Sequence, residues 1–343
     1  MQMAERSLSE NFLSGIFKLR SDYFYFPDFS FASLGLLSSA LGGVELENVR
    51  LIHALSGLAV IGISYFLFYL LFEKRSAAAA AVIMGSNHVL LAISRMAMRD
   101  NSAILTLVLA LVILYAGLKK KSLLLSFLGG AASGFSFYVY FPTRAVILIW
   151  ALFMGLVIFF NTDRTERKIR LKMLALNMAG FVLIAFPVLT ETVKLLPESI
   201  AYQNRQLLIY QEGRELQKEW LYASSIREAV LTNIKNGFFM FNKPIHDHGY
   251  IYPNYGSGFV DPLGGVLIWV GAAGLVFGFS HREKKEGKIL VLSGFCLLLV
   301  IFAFLTGKTP NYTRMLVILP FVAYLVVEGL FLLAGLAGKT LKV

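Results

Sequence analysis

The 343-residue chain contains a single cysteine, Cys296, and its Asp, Glu, Lys and Arg together make up only 15% of the residues. One cysteine excludes a disulfide-stapled secreted module and a cysteine-rich metal knot. So low a charge content excludes a disordered, solvated chain, and it lies well under the roughly 25% of an ordinary soluble domain. No P-loop, dinucleotide-binding glycine pattern, zincin helix or nucleophile elbow is present. What fills the sequence instead is apolar: 57% of the residues are hydrophobic and 14% aromatic. These figures describe a polytopic membrane protein, and the useful questions become where its polar residues lie and on which side.

Nine stretches approach the roughly 20 apolar residues that a helix needs to cross the hydrocarbon core. They lie at 50–72, 77–94, 101–118, 122–140, 145–160, 173–193, 262–280, 289–306 and 315–335. The segment from Phe29 to Gly43 is apolar but short, and reads as a re-entrant or interfacial helix, with a true span as the alternative. Met1 to Asp28 has no apolar run, so a signal peptide is not expected within it. The expected fold class is therefore all-α: a bundle of about nine transmembrane helices with one long external loop. Residues 1–49 form an external N-terminal segment, 50–193 the first group of membrane helices, 194–261 an external loop domain, and 262–343 the last helices and a cytoplasmic tail.

The net charge of +11 invites a nucleic-acid reading, but that needs a single basic face. The basic residues alternate between loops instead. Lys74 and Arg75, Lys119 to Lys121, Arg164 to Lys172, Arg282 to Lys288, and Lys339 and Lys342 fall on one side. Only Arg95, Arg99, Arg144, Lys308 and Arg314 fall in the short loops of the other. Lys and Arg accumulate in cytoplasmic loops, so the C-terminus is predicted to be cytoplasmic and the Arg95, Arg144 and Arg314 loops external. No nucleic-acid partner is needed. Parity then places residues 1–49 outside with nothing to carry them there, which leads to the expectation of a further membrane helix upstream of Met1.

Charge at a membrane junction is expensive and usually serves a purpose. In Ser94-Arg95-Met96-Ala97-Met98-Arg99-Asp100-Asn101 the two arginines are four apart, so on a continuing helix they share a face and could hold a phosphate. An ion pair with Asp100 that caps two helix ends is an equal reading. Tyr138-Val139-Tyr140-Phe141-Pro142-Thr143-Arg144 is a second such junction, interrupted by Pro142. Pro310-Asn311-Tyr312-Thr313-Arg314 is a third. Each arginine alone could be snorkelling, whereas arginine at all three fits an anionic substrate. The external loop is rich in Tyr, Phe, Trp and carboxylates, which suit sugar stacking or an interfacial belt. His246-Asp247-His248 resembles a metal cluster, but alternate residues of an extended chain point to opposite sides. The runs Ala77 to Ala81 and Gly129 to Gly134 read as close-packing helix faces, and His88 as a residue hydrogen-bonded between helices.

Taken in order, these features resemble the GT-C superfamily, specifically the bacterial family 39 glycosyltransferases like protein O-mannosyltransferase and aminoarabinose transferase. The resemblance rests on the Phe29 to Gly43 segment before Val49-Arg50-Leu51, Ser94-Arg95 with Asp100, and Gly134, Tyr138, Tyr140 and Arg144. It continues through Phe241-Asn242, Pro253, Asp261-Pro262-Leu263-Gly264, Pro310 and Arg314. It implies a sugar carried on polyprenyl phosphate and moved, on the external face of the membrane, to a hydroxyl-bearing glycan, lipid or protein acceptor. Arg95, Arg99, Tyr138, Tyr140, Arg144 and Arg314 would bind substrate. In that family an acidic pair after the first membrane helix supplies the base, often near a divalent metal such as Mg or Mn, with no organic cofactor. Here Glu5 is the nearest acidic residue to that position, so Glu5 and Asp100 are the catalytic candidates. A lipid-linked-sugar flippase and an inactive scaffold of the same fold are the alternatives.

Overall fold

The computed structural model describes residues 19–20, 26–27, 29–96, 100–194, 223–243, 245, 258–278, 284–306 and 311–340. Two short strands, β1 (Leu19–Arg20) and β2 (Phe26–Pro27), pair antiparallel. Everything else described is helix, turn or connection. The expected all-α membrane architecture is what the chain forms.

All nine apolar stretches are helical, but they are not equal. Among the described residues six helices are long and apolar enough to cross a membrane: Leu46–Leu71, Asp100–Lys120, Phe141–Phe159, Arg164–Lys194, Lys285–Phe304 and Tyr312–Gly335. A seventh is a pair, Lys74–Ser86 and His88–Arg95, bent by 56°. The remaining two, Leu123–Tyr138 and Pro262–Phe277, are shorter apolar helices. Phenylalanines such as Phe159 and Phe277 stand largely exposed on these apolar helices, long and short, as is natural for surfaces that meet lipid rather than water.

In chain order the helices are α1 (Phe29–Ala40), α2 (Leu46–Leu71), α3 (Lys74–Ser86), α4 (His88–Arg95), α5 (Asp100–Lys120), α6 (Leu123–Phe135), α7 (Ala145–Phe159) and α8 (Arg164–Lys194). After these come α9 (Ile226–Phe239), α10 (Pro262–Phe277), α11 (Lys285–Leu299), α12 (Tyr312–Met315) and α13 (Leu319–Thr340). Short 3-10 turns at Ser136–Tyr138 and Phe141–Arg144 join α6 to α7, and a π-helix at Val300–Phe304 ends α11.

One boundary differs from the sequence expectation, and the short segment after Phe29 follows it. The basic run Arg164 to Lys172 is not a loop but the first turns of α8, a helix of 31 residues. At 1.5 Å per residue α8 is about 46 Å long, more than the roughly 30 Å hydrocarbon core, so its charged turns extend beyond the apolar part. The segment after Phe29 forms a 12-residue helix, α1, about 18 Å long and too short to cross. It ends at Gly42 and Gly43, whose φ of 108° and 143° only glycine adopts readily.

The chain divides into two compact units, residues 1–63 with 90–202 and residues 64–89 with 203–343. In the first unit α6 and α8 meet along a glycine seam. A Cβ on Gly130 would stand 2.0 Å from the Asn177 carbonyl oxygen, and one on Gly180 would stand 2.2 Å from that of Phe127. Only glycine allows backbones so close. Asn177, buried in the seam, donates to the Ser126 carbonyl at 2.5 Å and accepts from Trp150 Nε1 at 3.0 Å. One amide thereby ties α6, α7 and α8 together. The Gly129 to Gly134 run has the packing role expected of it.

In the second unit α13 is the central helix, with Phe321 to Val327 all buried. Its backbone at Leu325 approaches α10 through Gly271, where a Cβ would lie 1.9 Å from the Leu325 oxygen. Ala77 and Ala80 of α3 are fully buried, and α3 packs on α13. Tyr324 stacks on Phe72 with ring centroids 4.0 Å apart and donates to Glu328 Oε2 at 3.3 Å.

Candidate functional site

In the first unit, polar side chains concentrate where α2, α4 and α5 meet. Arg95 is the last residue of α4 and is exposed. Asp100 opens α5 and is buried, with 2% of its surface exposed. A carboxylate in a first helical turn faces the positive end of the helix dipole, which is a physical reason for a charge to be tolerated there. Its neighbour Asn101 is fully buried and donates to Ser94 Oγ at 2.8 Å and to the His53 carbonyl at 3.2 Å. Ser94 in turn donates to the Leu90 carbonyl at 2.7 Å. Asn101 thus holds α2 and α4 against the start of α5, and the Ser94-Arg95 motif is fixed in place by hydrogen bonds from its serine.

The Pro142 junction contributes a second element. Tyr140 and Pro142 start a 3-10 turn in which the Tyr140 carbonyl accepts from Thr143 N and Oγ1 at 3.0 and 2.6 Å. The turn carries Arg144 at its end and packs on α5, the helix that begins with Asp100. The Arg144 guanidinium lies over the Phe137 ring at 5.1 Å, and its Nη2 donates to the Phe137 carbonyl at 3.4 Å. Stacking and backbone bonding suit a planar cation better than an ammonium. The Tyr138 hydroxyl donates to the Ile184 carbonyl at 2.8 Å, so this tyrosine anchors the turn to α8. Tyr140 is half-buried, its ring edge-on to Phe141.

Arg314 belongs to the second unit, with a different set of neighbours in sequence and space. Asn311 caps α12: its Oδ1 accepts from Arg314 N at 3.1 Å and from Thr313 Oγ1 at 2.8 Å. Asn is among the strongest N-cap residues. Tyr312 is buried edge-on against Phe259 at 5.5 Å. Phe259 belongs to the return segment, where Phe259 N and Val260 N donate to the carbonyls of Met240 and Phe241 at 2.7 and 3.1 Å. Asp261 then caps α10 by accepting from Gly264 N at 2.8 Å, with Pro262 in the first turn. The bend between α3 and α4 is filled from this side, since Asn87 Nδ2 donates to the Phe259 carbonyl at 3.0 Å. His88 hydrogen-bonds the Gly258 backbone. Its bond runs to this return segment.

Asp100, Arg95 and Arg144 thus fall in one unit, on α5 or on elements joined to it, and Arg314 falls in the other. Glu5, Arg99, Pro253, Pro310, His246 to His248 and most of the 194–261 loop lie outside the described residues. Among the described residues no three of His, Cys, Asp and Glu converge as a metal would need. Two members of the polar junction had no motif to announce them. His53 sits in an apolar stretch, and Asn101 reads as the tail of the Arg-Asp pair; their only sequence signal is that each is a polar residue on an otherwise apolar helix face.

Residues 31–190 match the family described as Dolichyl-phosphate-mannose-protein mannosyltransferase. This range contains the whole polar junction and the Arg144 turn. No curated protein matches the chain. Among solved structures, ArnT from Cupriavidus metallidurans in the apo state is 15% identical, with a TM-score of 0.60 over 96% of this chain and 53% of that one. The Archaeoglobus fulgidus oligosaccharyltransferase in complex with Zn and sulfate is 13% identical, with a TM-score of 0.57 over 88% of this chain and 40% of that one. The same enzyme tethered to an acceptor peptide gives a TM-score of 0.53 at 12% identity. At such identities the likeness is one of fold, and the chain spans about two fifths to half the length of these structures.

Proposed function

We propose that this chain, which resembles the GT-C superfamily in its fold and in the family match over residues 31–190, transfers a sugar from a polyprenyl-phosphate donor to a hydroxyl acceptor. Transfer takes place at the external face of the membrane, with the C-terminus cytoplasmic, and inverts the anomeric centre. The observation that carries this reading is the buried Asp100 at the start of α5, beside the Ser94-Arg95 end of α4 and on the helix that supports the Arg144 turn. A carboxylate and two arginines on connected elements are the charges that such a displacement requires.

The chemistry follows from the groups. A carboxylate base, Asp100 or Glu5, takes the proton of the acceptor hydroxyl. The acceptor oxygen forms a bond to the anomeric carbon while the carbon–oxygen bond to phosphate breaks, and the electron pair leaves with the polyprenyl phosphate. Attack opposite the leaving group inverts the configuration. The charge that develops on the departing phosphate is met by Arg95 and Arg144, with Arg99 as a further candidate, because fixed cations stabilise developing charge without reorganisation. Tyr138 and Tyr140 shape the turn that presents Arg144. A divalent cation, Mg or Mn, remains the cofactor expectation. Among the described residues no three potential ligands converge on a donor set for it.

The test uses membranes that contain the chain, a radiolabelled polyprenyl-phosphate mannose and a hydroxyl-bearing acceptor. Label is expected to move to the acceptor, and Arg95→Ala to reduce transfer by about 10²- to 10³-fold while the protein still inserts, because the Arg95 side chain is exposed. Unchanged transfer in that variant would remove Arg95 from the phosphate site.

A further inference from the structure

The α2–α4–α5 junction holds more hydrogen-bonding capacity than the protein itself uses. His53, two turns into α2, has 6% of its surface exposed, and neither ring nitrogen has a partner among the described residues. Both amide hydrogens of Asn101 are engaged, by the His53 carbonyl and by Ser94 Oγ, but its buried Oδ1 has no partner. The unused capacity is one imidazole donor, one imidazole acceptor and one amide acceptor. Buried polar groups are nearly always satisfied, and leaving them unmet is destabilising. A deficit shared by neighbours on two helices points to something that binds between them.

The packing at the junction places His53 and Asn101 on facing helices. Gly57 lies four residues after His53 on the same face of α2. A Cβ there would stand 2.4 Å from Ser94 Oγ and 3.6 Å from Asn101 Nδ2. The face of α2 that carries His53 is therefore the one pressed against Ser94 and Asn101, and its side chains lean toward the Leu46 end of the helix. Asp100 precedes Asn101 and is itself buried. A neutral imidazole together with an amide oxygen offers a hydroxyl group both an acceptor for its proton and a donor for its oxygen.

We propose that His53 and Asn101 form a hydroxyl-binding pair that holds the transferred sugar beside Asp100, which makes His53 a specificity-determining residue. This rests on the glycosyltransferase reading above and adds to it the position at which the sugar is recognised.

The test measures binding of short-chain polyprenyl phosphates to the purified full chain in detergent, with bare phosphate lipid compared against mannosyl, glucosyl and N-acetylhexosaminyl forms. Wild type is expected to prefer one sugar-bearing lipid. His53→Phe should weaken that lipid by about tenfold, a loss of about 1.4 kcal/mol, and leave the bare lipid unchanged. His53→Asn, which keeps a donor and an acceptor, should stay within a few-fold of wild type. Without ligand, His53→Phe should unfold at or above the wild-type temperature, because replacing unmet polar atoms with apolar ones is not destabilising. Equal losses for bare and sugar-bearing lipid, no loss at all, or failure of His53→Phe to fold would overturn the proposal while the transferase reading stands. So would a wild type that binds bare lipid but prefers no sugar. Absence of binding by any lipid to wild type would overturn both.

Discussion

The glycine seam between α6 and α8 makes a quantitative prediction with its control built in. An added Cβ at Gly130 would sit 2.0 Å from the Asn177 carbonyl oxygen and 2.8 Å from its Cα. Both contacts are with backbone, so no side-chain rotation relieves them, and α6 and α8 must separate by about 1 Å to bring the contact to a tolerable distance. That movement stretches the Asn177 Nδ2 to Ser126 bond, now 2.5 Å, to the edge of hydrogen bonding, and draws Asn177 away from Trp150. Overpacking of this kind costs about 1–3 kcal/mol, and each membrane-embedded hydrogen bond lost adds about 0.6 kcal/mol. Gly130→Ala should therefore destabilise by about 2–4 kcal/mol. At Gly155 of α7 and Gly62 of α2 an added Cβ would meet nothing within 4 Å, and alanine there should be neutral or stabilising by up to about 1 kcal/mol. Thermal unfolding of the purified protein in detergent, followed by tryptophan fluorescence, reads both. Gly130→Ala should melt several degrees below wild type, and its emission should shift as Trp150 loses its partner. If Gly130→Ala melted with wild type while Gly155→Ala did not, the close approach of α6 and α8 would be wrong.

Further outcomes follow from single contacts. Tyr138→Phe removes one hydrogen bond to the Ile184 carbonyl and should cost about 0.5–1.5 kcal/mol of stability and lower sugar transfer, because this tyrosine anchors the turn that presents Arg144; unfolding and transfer measured in parallel read both. Asn87→Leu leaves the Phe259 carbonyl without its donor and should loosen the return segment, read as faster hydrogen exchange at Phe259 and Val260. The Glu228 carboxyl accepts from Ser224 N and Oγ at 2.8 and 2.7 Å, and these bonds hold it below the usual carboxylate range. A lowered folded-state value means that its contribution is present at neutral pH and lost as pH falls through that value. Protection of the amides at the start of α9, measured against the intrinsic exchange rate at each pH, should therefore fall as pH drops toward the acid range, and Glu228→Gln should abolish that pH dependence of protection.

Much of the fold was legible because lipid imposes one requirement, length of apolar sequence, on every span. The nine expected spans became, among the described residues, six helices that meet that requirement, one bent pair and two shorter apolar helices. The misplaced boundary has a physical cause too: Arg164 to Lys172 are good helix formers on the polar end of α8, and hydropathy alone stops at the first charge. The bend at Asn87 was invisible because it is made by a partner 172 residues away, the Phe259 carbonyl. At the site, Asp100 and the arginines announced themselves as charges at span ends. His53 and Asn101 did not, because a single polar residue on an apolar helix carries no pattern until its neighbours are known. Asp261-Pro262-Leu263-Gly264 showed the reverse: a segment quoted for its resemblance proved to be a helix cap, Asp261 bonded to Gly264 N.

The most direct test of the proposed reaction is its stoichiometry. Membranes containing the chain, supplied with a labelled polyprenyl-phosphate sugar and an acceptor, should release one polyprenyl phosphate for every sugar moved. Asp100→Asn should slow that release by about 10²-fold or more if Asp100 is the base. Passage of intact sugar-lipid across the bilayer with no release of polyprenyl phosphate would contradict the account and identify a transporter instead.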